Sequence, residues 1–225
     1  MLNEGALLHC KDGPGKLLGF MPMQKPVVCQ LGGNDPEKMA KAAQVVEEHG
    51  FDEVNVNCGC PSDKVCNGSF GAILMFDPKL VAEIVLKMRN AVQIPVTVKC
   101  RLGVDDRDKW DEIVEFIRVV SEEGGCTKFI IHARKCFLSG LNPAQNRNIP
   151  PLNYAWVFKL AEEFPHLNFV INGGFDSVEK INDILSDEQP LLTSMPLEGC
   201  MSGRLAMNNT WELARIDREV FEDLE

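Results

Sequence analysis

The run Asn57-Cys58-Gly59-Cys60-Pro61-Ser62 sets an amide and a thiol at the end of a short apolar-flanked segment. Glu53 to Asn57 reads as a strand, and the glycine and proline after it read as a turn, so Cys60 is delivered to a strand's C-terminal edge. Other segment ends carry comparable groups: Gln30, Lys99 with Arg101, His132 with Arg134, Asn172-Gly173-Gly174, and Gly203-Arg204. In a parallel barrel such ends converge on one mouth. Glycines at the last two ends let backbone N–H groups approach a phosphate, and a following helix N-terminus adds a favourable dipole. Arg204 can pair with the same anion bidentately. The pattern points to a phosphate-bearing cofactor at the last two strands. Its reactive part would face Lys99 and His132, with Cys60 opposite across a substrate gap.

The elements that must hold these groups repeat as strand then helix. Pro26 to Leu31 is a strand ended by Gly32-Gly33, and Asp35 with Pro36 starts a helix that Gly50 stops. Glu53 to Asn57 is followed by a long loop and a helix opened by Asp77-Pro78. Pro95 to Lys99 precedes a helix over Asp108 to Glu122, and Lys128 to His132 precedes one around Trp156 to Phe164. Asn168 to Asn172 precedes a helix whose D-x-x-E start is Asp176 and Glu179. Glu198 to Met201 is a last short strand, and Trp211 to Leu224 an acidic amphipathic helix. Residues 1–25 show no clear period. The strands read as continuously apolar, hence buried on both faces as in a parallel sheet. The expected fold is therefore α/β, a TIM-type (β/α) barrel of parallel strands. It is incomplete, with about six strands where eight close a barrel. Its edges at Val27 and Gly199 would then be exposed.

The totals narrow the class. The chain has 225 residues and a formal net charge of −10, which disfavours nucleic-acid binding by bulk charge and requires any such site to be a local basic patch. No run of about 18 apolar residues spans a membrane and no secretory leader opens the chain. Nine cysteines at irregular spacing do not form a secreted disulfide framework. An intracellular, reducing compartment, cytoplasm or organelle stroma, is expected. Cys58, Cys60 and Cys66 lack a fourth ligand nearby, so no metal is expected. Cys58, Cys100 and Cys126 read as core, and His49 and His166 as surface. Arg134, Lys135 and Arg147 read either as a binding edge or as a solvated rim.

Five strings together carry a specific resemblance: Asn57 to Val65, Val96 to Gly103, Ile130 to Lys135, Asn148 to Leu152, and Ile171 to Gly174. They resemble the tRNA-dihydrouridine synthases of A-type, over about Gly5 to Trp211. The resemblance implies a single FMN-binding barrel domain over 1–225. It implies FMN-dependent reduction of uridine to 5,6-dihydrouridine in the tRNA D-loop, with NADPH recharging the flavin. Hydride would reach uracil C6 and a proton C5. By the match Cys60 is that proton donor, a role suited to a thiol whose ordinary pKa of ~8.5 leaves it protonated near neutrality. Asn57 would hold the base. Gln30, Lys99 and His132 match flavin-ring or ribityl contacts, with Lys99 stabilising negative charge on the reduced ring. Asn172, Gly173, Gly174, Gly203 and Arg204 match the phosphate cradle. Arg134, Lys135, Asn146 and Arg147 lie where the family contacts tRNA. The uridine must leave its stack to reach the flavin.

Relative to the family, Met1 aligns near the end of the second strand, and the C-terminal helical tRNA-binding domain is not reached. Gln189 to Pro196 reads as an altered or inserted segment. Two other readings follow: a truncated non-catalytic relative or RNA-binding remnant, and an FMN barrel acting on a free pyrimidine.

Overall fold

The computed structural model describes residues 1–186 and 197–221. Seven strands form one sheet in chain order: β1 (Leu2–Asn3), β2 (Val28–Gly32), β3 (Glu53–Cys58), β4 (Val96–Arg101), β5 (Lys128–His132), β6 (Asn168–Asn172) and β7 (Gly199–Met201). Every neighbouring pair is parallel. Helices return the chain between successive strands, which is TIM-type barrel architecture. Among the described residues β1 and β7 do not pair, so the sheet stands one strand short of eight rather than two.

The additional strand, β1, is two residues long, too short to show a period. Asn3 caps the helix Glu4–Leu8 that follows it, its side chain accepting from Ala6 N at 3.2 Å. β1 pairs with β2 only at Leu31 and Gly32. The expected edge at Val27 is thus covered at one end, while Val28 stays 49% exposed.

The strands are not apolar on both faces. Residues Val54, Val56, Val98, Phe129, Ile131, Phe169 and Ile171 face outward and are buried beneath the helices. Phe129 and Phe169 stack across β5 and β6 at 6.0 Å. The helix Pro36–Glu48 contributes Met39, Ala43 and Val46, Pro78–Ala91 contributes Val81, Ile84 and Met88, and Trp110–Glu122 contributes Ile113, Phe116 and Val120. The inward face alternates with this one and is largely polar: Gln30, Glu53, Asn55, Asn57, Thr97, Lys99, Arg101, Lys128 and His132. Gln30, Asn55, Asn57, Thr97, Glu53 and Lys128 bond to one another along this face, around an open interior of about 620 Å³.

Helix starts follow the capping logic. Asp35 accepts from Glu37 N and Lys38 N, both at 3.1 Å, and Asp77 accepts from Leu80 N at 3.1 Å. The helix Val178–Leu185 departs from expectation: Ser177 is its cap, accepting from Lys180 N at 3.3 Å. Asp176 instead pairs with Lys180 at 2.6 Å. The tail is not one amphipathic helix over its described part. It is a 3-10 turn, Thr210–Arg215, and a short helix, Ile216–Glu219, with Trp211 86% exposed. Arg215 draws Glu179, Glu212 and Glu219 around itself, each at 2.6 or 2.7 Å. The segment Gln189 to Pro196 and the end of the tail at Leu224 lie outside the described residues. No described helix is long and apolar enough to cross a membrane.

Candidate active site

The strand ends do converge. A cleft of about 300 Å³ at the C-terminal edge of the sheet is lined by Asn57, Cys60, Lys99, His132, Arg147, Asn172, Gly173, Gly174, Gly203 and Arg204. Ten sequence-derived site residues therefore line one cleft. Gln30 lies behind it, bordering the interior, and reaches the cleft through Asn57, whose Nδ2 donates to Gln30 Oε1 at 2.8 Å.

Cys60 is half-buried on the loop after β3. Asn57 shapes that loop: its Oδ1 accepts from Gly59 N at 3.1 Å and Cys60 N at 2.9 Å, the turn an asparagine makes with its own downstream backbone. The Cys60 thiol donates to Ser62 Oγ at 3.5 Å. Arg101, inward-facing two residues past Lys99, clamps the same loop. Its Nε donates to Gly59 O at 2.9 Å and its Nη1 to Asn146 O at 3.0 Å. Arg101 is 4% exposed, and sequence reasoning placed it at a strand end without giving it a task. The i, i+2 spacing from Lys99 is the signal that could have done so.

The glycine pair is packed so closely against its neighbours that neither position admits a side chain. Gly173 and Gly174 sit at φ +114° and +85°. A Cβ on Gly173 would meet His132 Cδ2 at 2.7 Å, and one on Gly174 would meet Leu152 Cδ1 and Tyr154 Oη, each at 2.7 Å. Tyr154 secures the turn by donating to Gly173 O at 2.5 Å. Asn172 Nδ2 donates to Met201 O at 2.8 Å and joins the two strand ends of the cradle. Across them a Cβ on Gly203 would meet nothing within 4 Å, and exposed Arg204 donates to Asn148 Oδ1 at 2.6 Å.

No Asp or Glu lines the cleft among the described residues, so its field is set by cations. Burial, helped by Arg101, pushes the Lys99 ammonium down to about 8. Burial, reinforced by Arg101, Lys99, Arg134 and Arg204, pushes His132 down to about 2, so its imidazole is neutral across the physiological range. Burial also holds the Arg101 and Arg134 guanidiniums below their usual range. By contrast, burial pushes the thiols of Cys100, Cys126 and Cys136 up to about 12, and that of Cys58 well above its ordinary value. They are inert core groups, as expected of three of them.

Three of the residues placed at the tRNA edge are not brought to the cleft wall. Arg134 is 8% exposed and donates to Pro150 O, while its buried Nε has no partner among the described atoms. Lys135 turns away to Asp108 Oδ2 at 2.5 Å and lies over the Phe137 ring at 4.6 Å. Asn146 is fully buried, accepting from Phe137 N at 2.8 Å and donating to Phe137 O at 2.9 Å and Leu141 O at 3.0 Å. It is a loop clamp. Arg147, next to it, is exposed on the cleft rim. No group of three His, Cys, Asp or Glu is arranged so as to hold a metal ion among the described residues.

Comparison with known proteins matches residues 1–224 to the family model for dihydrouridine synthase. The chain is 45% identical over 221 residues to the tRNA-dihydrouridine(20/20a) synthase of Vibrio parahaemolyticus, covering 98% of this chain and 64% of that protein. It is 47% identical over 221 residues to the protein of the same name from Escherichia coli K12, covering 98% of this chain and 61% of that protein. The chain thus spans less than two thirds of the length of these relatives.

Proposed function

This chain belongs to the dihydrouridine synthase family, and from that premise we propose that it reduces uridine in tRNA to 5,6-dihydrouridine, using FMN and NADPH. The observation that carries the proposal is the shared cleft, lined together by Cys60, Lys99, His132 and the glycines Gly173, Gly174 and Gly203. The residues suit a flavin phosphate. Cations without a carboxylate favour its charge, and the space beside Gly203 at the mouth is open, with nothing within 4 Å of a Cβ there. Gly173, Gly174, Gly203, Asn172 and Arg204 would hold the phosphate, and Gln30, Lys99 and His132 the ring and ribityl chain. When bound in reduced form, FMN supplies the hydride taken up at uracil C6.

The chain's own groups do the rest. Cys60 Sγ–H gives its proton to C5, and the thiolate left behind is reprotonated from water, with the Ser62 hydroxyl 3.5 Å away as a way in. Asn57 and Arg101 hold the Cys60 loop, so the thiol is presented from a fixed turn. Lys99, with its pKa near 8, is able to carry a positive charge against a negative ring. Neutral His132 offers a ring N–H without adding charge. Arg147, exposed on the rim of the cleft, is the cation that would meet the tRNA backbone at the mouth, a local positive charge in a chain of net charge −10. The relatives' names specify positions 20 and 20a, and we extend those positions to this chain. The free state of all nine cysteines suits a reducing, intracellular setting.

The test is to incubate the purified chain with FMN, NADPH and tRNA transcribed without modification, then digest and measure dihydrouridine by mass spectrometry. The proposal expects a yellow protein that forms dihydrouridine at positions 20 and 20a. A colourless, folded chain that binds tRNA and leaves uridine unchanged would overturn it in favour of a non-catalytic RNA-binding relative.

A further inference from the structure

A line of hydrogen bonds runs from the Cys60 loop down the inward face of the sheet. Cys60 N–H donates to Asn57 Oδ1 at 2.9 Å, and Asn57 Nδ2 to Gln30 Oε1 at 2.8 Å. Gln30 Nε2 donates to Asn55 Oδ1 at 2.7 Å, and Asn55 Nδ2 to Thr97 Oγ1 at 2.9 Å. The Thr97 hydroxyl donates to Glu53 Oε1 at 2.7 Å. Lys128 then pairs with Glu53 at 3.4 Å and with Glu198 at 2.6 Å.

The line has one direction. A backbone N–H only donates, and an ionised carboxylate only accepts. With those two groups at its ends, each amide between them has a single orientation that satisfies both neighbours. Asn and Gln side chains are otherwise free to exchange oxygen and nitrogen positions. The carboxylate of Glu53 thus acts from the far end, through Thr97, Asn55 and Gln30, to reinforce the orientation in which Asn57 presents its oxygen to the N–H groups of Gly59 and Cys60. Asn55 is 3% and Thr97 1% exposed, so water does not readily replace a lost link there.

We propose that Thr97 and Glu53 are positioning residues for Cys60, acting through Asn55, Gln30 and Asn57 to fix the loop that presents the thiol. The catalytic meaning of this rests on the reading of Cys60 as proton donor, while the positioning itself does not. Removing the Thr97 hydroxyl leaves Asn55 Nδ2 without its acceptor, frees the amides to flip, and loosens the Cys60 turn.

The test measures the rate at which iodoacetamide alkylates Cys60, read peptide by peptide with Cys10 as internal reference, in the whole chain. Thr97→Val is expected to raise the Cys60 rate at least about threefold, and Thr97→Ser, which keeps the hydroxyl, to leave it within about 1.5-fold. Equal Cys60 rates in Thr97→Val and the parent, or the same rise in Thr97→Ser, overturn the proposal. If Thr97→Val does not fold, the pair Glu53→Leu and Glu53→Gln decides by the same criterion, since only glutamine keeps an acceptor oxygen. Turnover on tRNA separates the two ideas. If labelling follows the hydroxyl but the parent makes no dihydrouridine, the enzyme reading fails and the positioning stands. If the parent is active and neither labelling nor kcat responds to Thr97→Val, the positioning fails alone.

Discussion

Replacing Lys99 by methionine should make the flavin-stripped protein more stable, although Lys99 faces the centre of the cleft. Methionine matches the lysine stem and removes the charge. Burial and Arg101 bring the Lys99 pKa from 10.5 to about 8, so the folded state holds the charged form at a cost. At ~1.4 kcal/mol per unit the full shift corresponds to about 3 kcal/mol. Water in the open cleft screens part of it, and a gain of about 1–2 kcal/mol near pH 7 is expected. The sign with pH is fixed. Between about 8 and 10.5 the unfolded chain holds a proton that the folded chain has released, so wild-type stability rises with pH in that window. The advantage of Lys99→Met is therefore largest below pH 8 and shrinks towards zero near 10.5. Urea denaturation followed by circular dichroism at about pH 7 and about pH 9.5 reads both terms. Flavin titration of the same variant should show affinity falling about tenfold or more, since the cation is lost. A destabilised variant, or a gain that is the same at both pH values, would refute the electrostatic reasoning.

Three further outcomes follow from the geometry. Gly173→Ala, at φ +114° with its new Cβ 2.7 Å from His132 Cδ2, should cost about 1–3 kcal/mol in denaturation and weaken FMN binding in a fluorescence titration. Asn146→Ala should cost about 2–3 kcal/mol because it strands the Phe137 N–H in a buried loop, whereas Arg147→Ala should leave stability unchanged and weaken tRNA binding in a filter assay. His132, pushed down to about 2, is neutral in the fold while the unfolded chain protonates below about 6.5. Wild-type stability should thus fall as pH drops from about 6.5 to 4.5, His132→Gln should flatten that limb, and the pH–rate profile should show no imidazole inflection between about pH 5 and 8.

Much of the site was legible because a parallel barrel collects strand ends, and strand ends are marked by local turn chemistry. Gly173-Gly174 after Asn172 and the proline after Cys60 are such marks, and both reach the cleft. What escaped was orientation within loops. Lys135 follows Arg134, but one residue of backbone turns it to Asp108. Asn146 and Arg147 are adjacent, yet one is fully buried and the other exposed. The inward polar face was written in the alternation Glu53-Val54-Asn55-Val56-Asn57, a half-polar strand that apolar content alone disguises. β1 escaped because two residues carry no period, and Ser177 displaced Asp176 as a cap because a cap is chosen by backbone geometry as much as by residue type.

The most direct measurement of the central claim separates the two halves of the reaction by stopped-flow flavin absorbance. In Cys60→Ala, reduction of bound FMN by NADPH should proceed at the parent rate, while reoxidation by unmodified tRNA should slow at least about a hundredfold, because only the second half needs the thiol proton. Reoxidation by tRNA at an unchanged rate in Cys60→Ala, with dihydrouridine still formed, would contradict the assignment of Cys60 as the proton donor of this cleft.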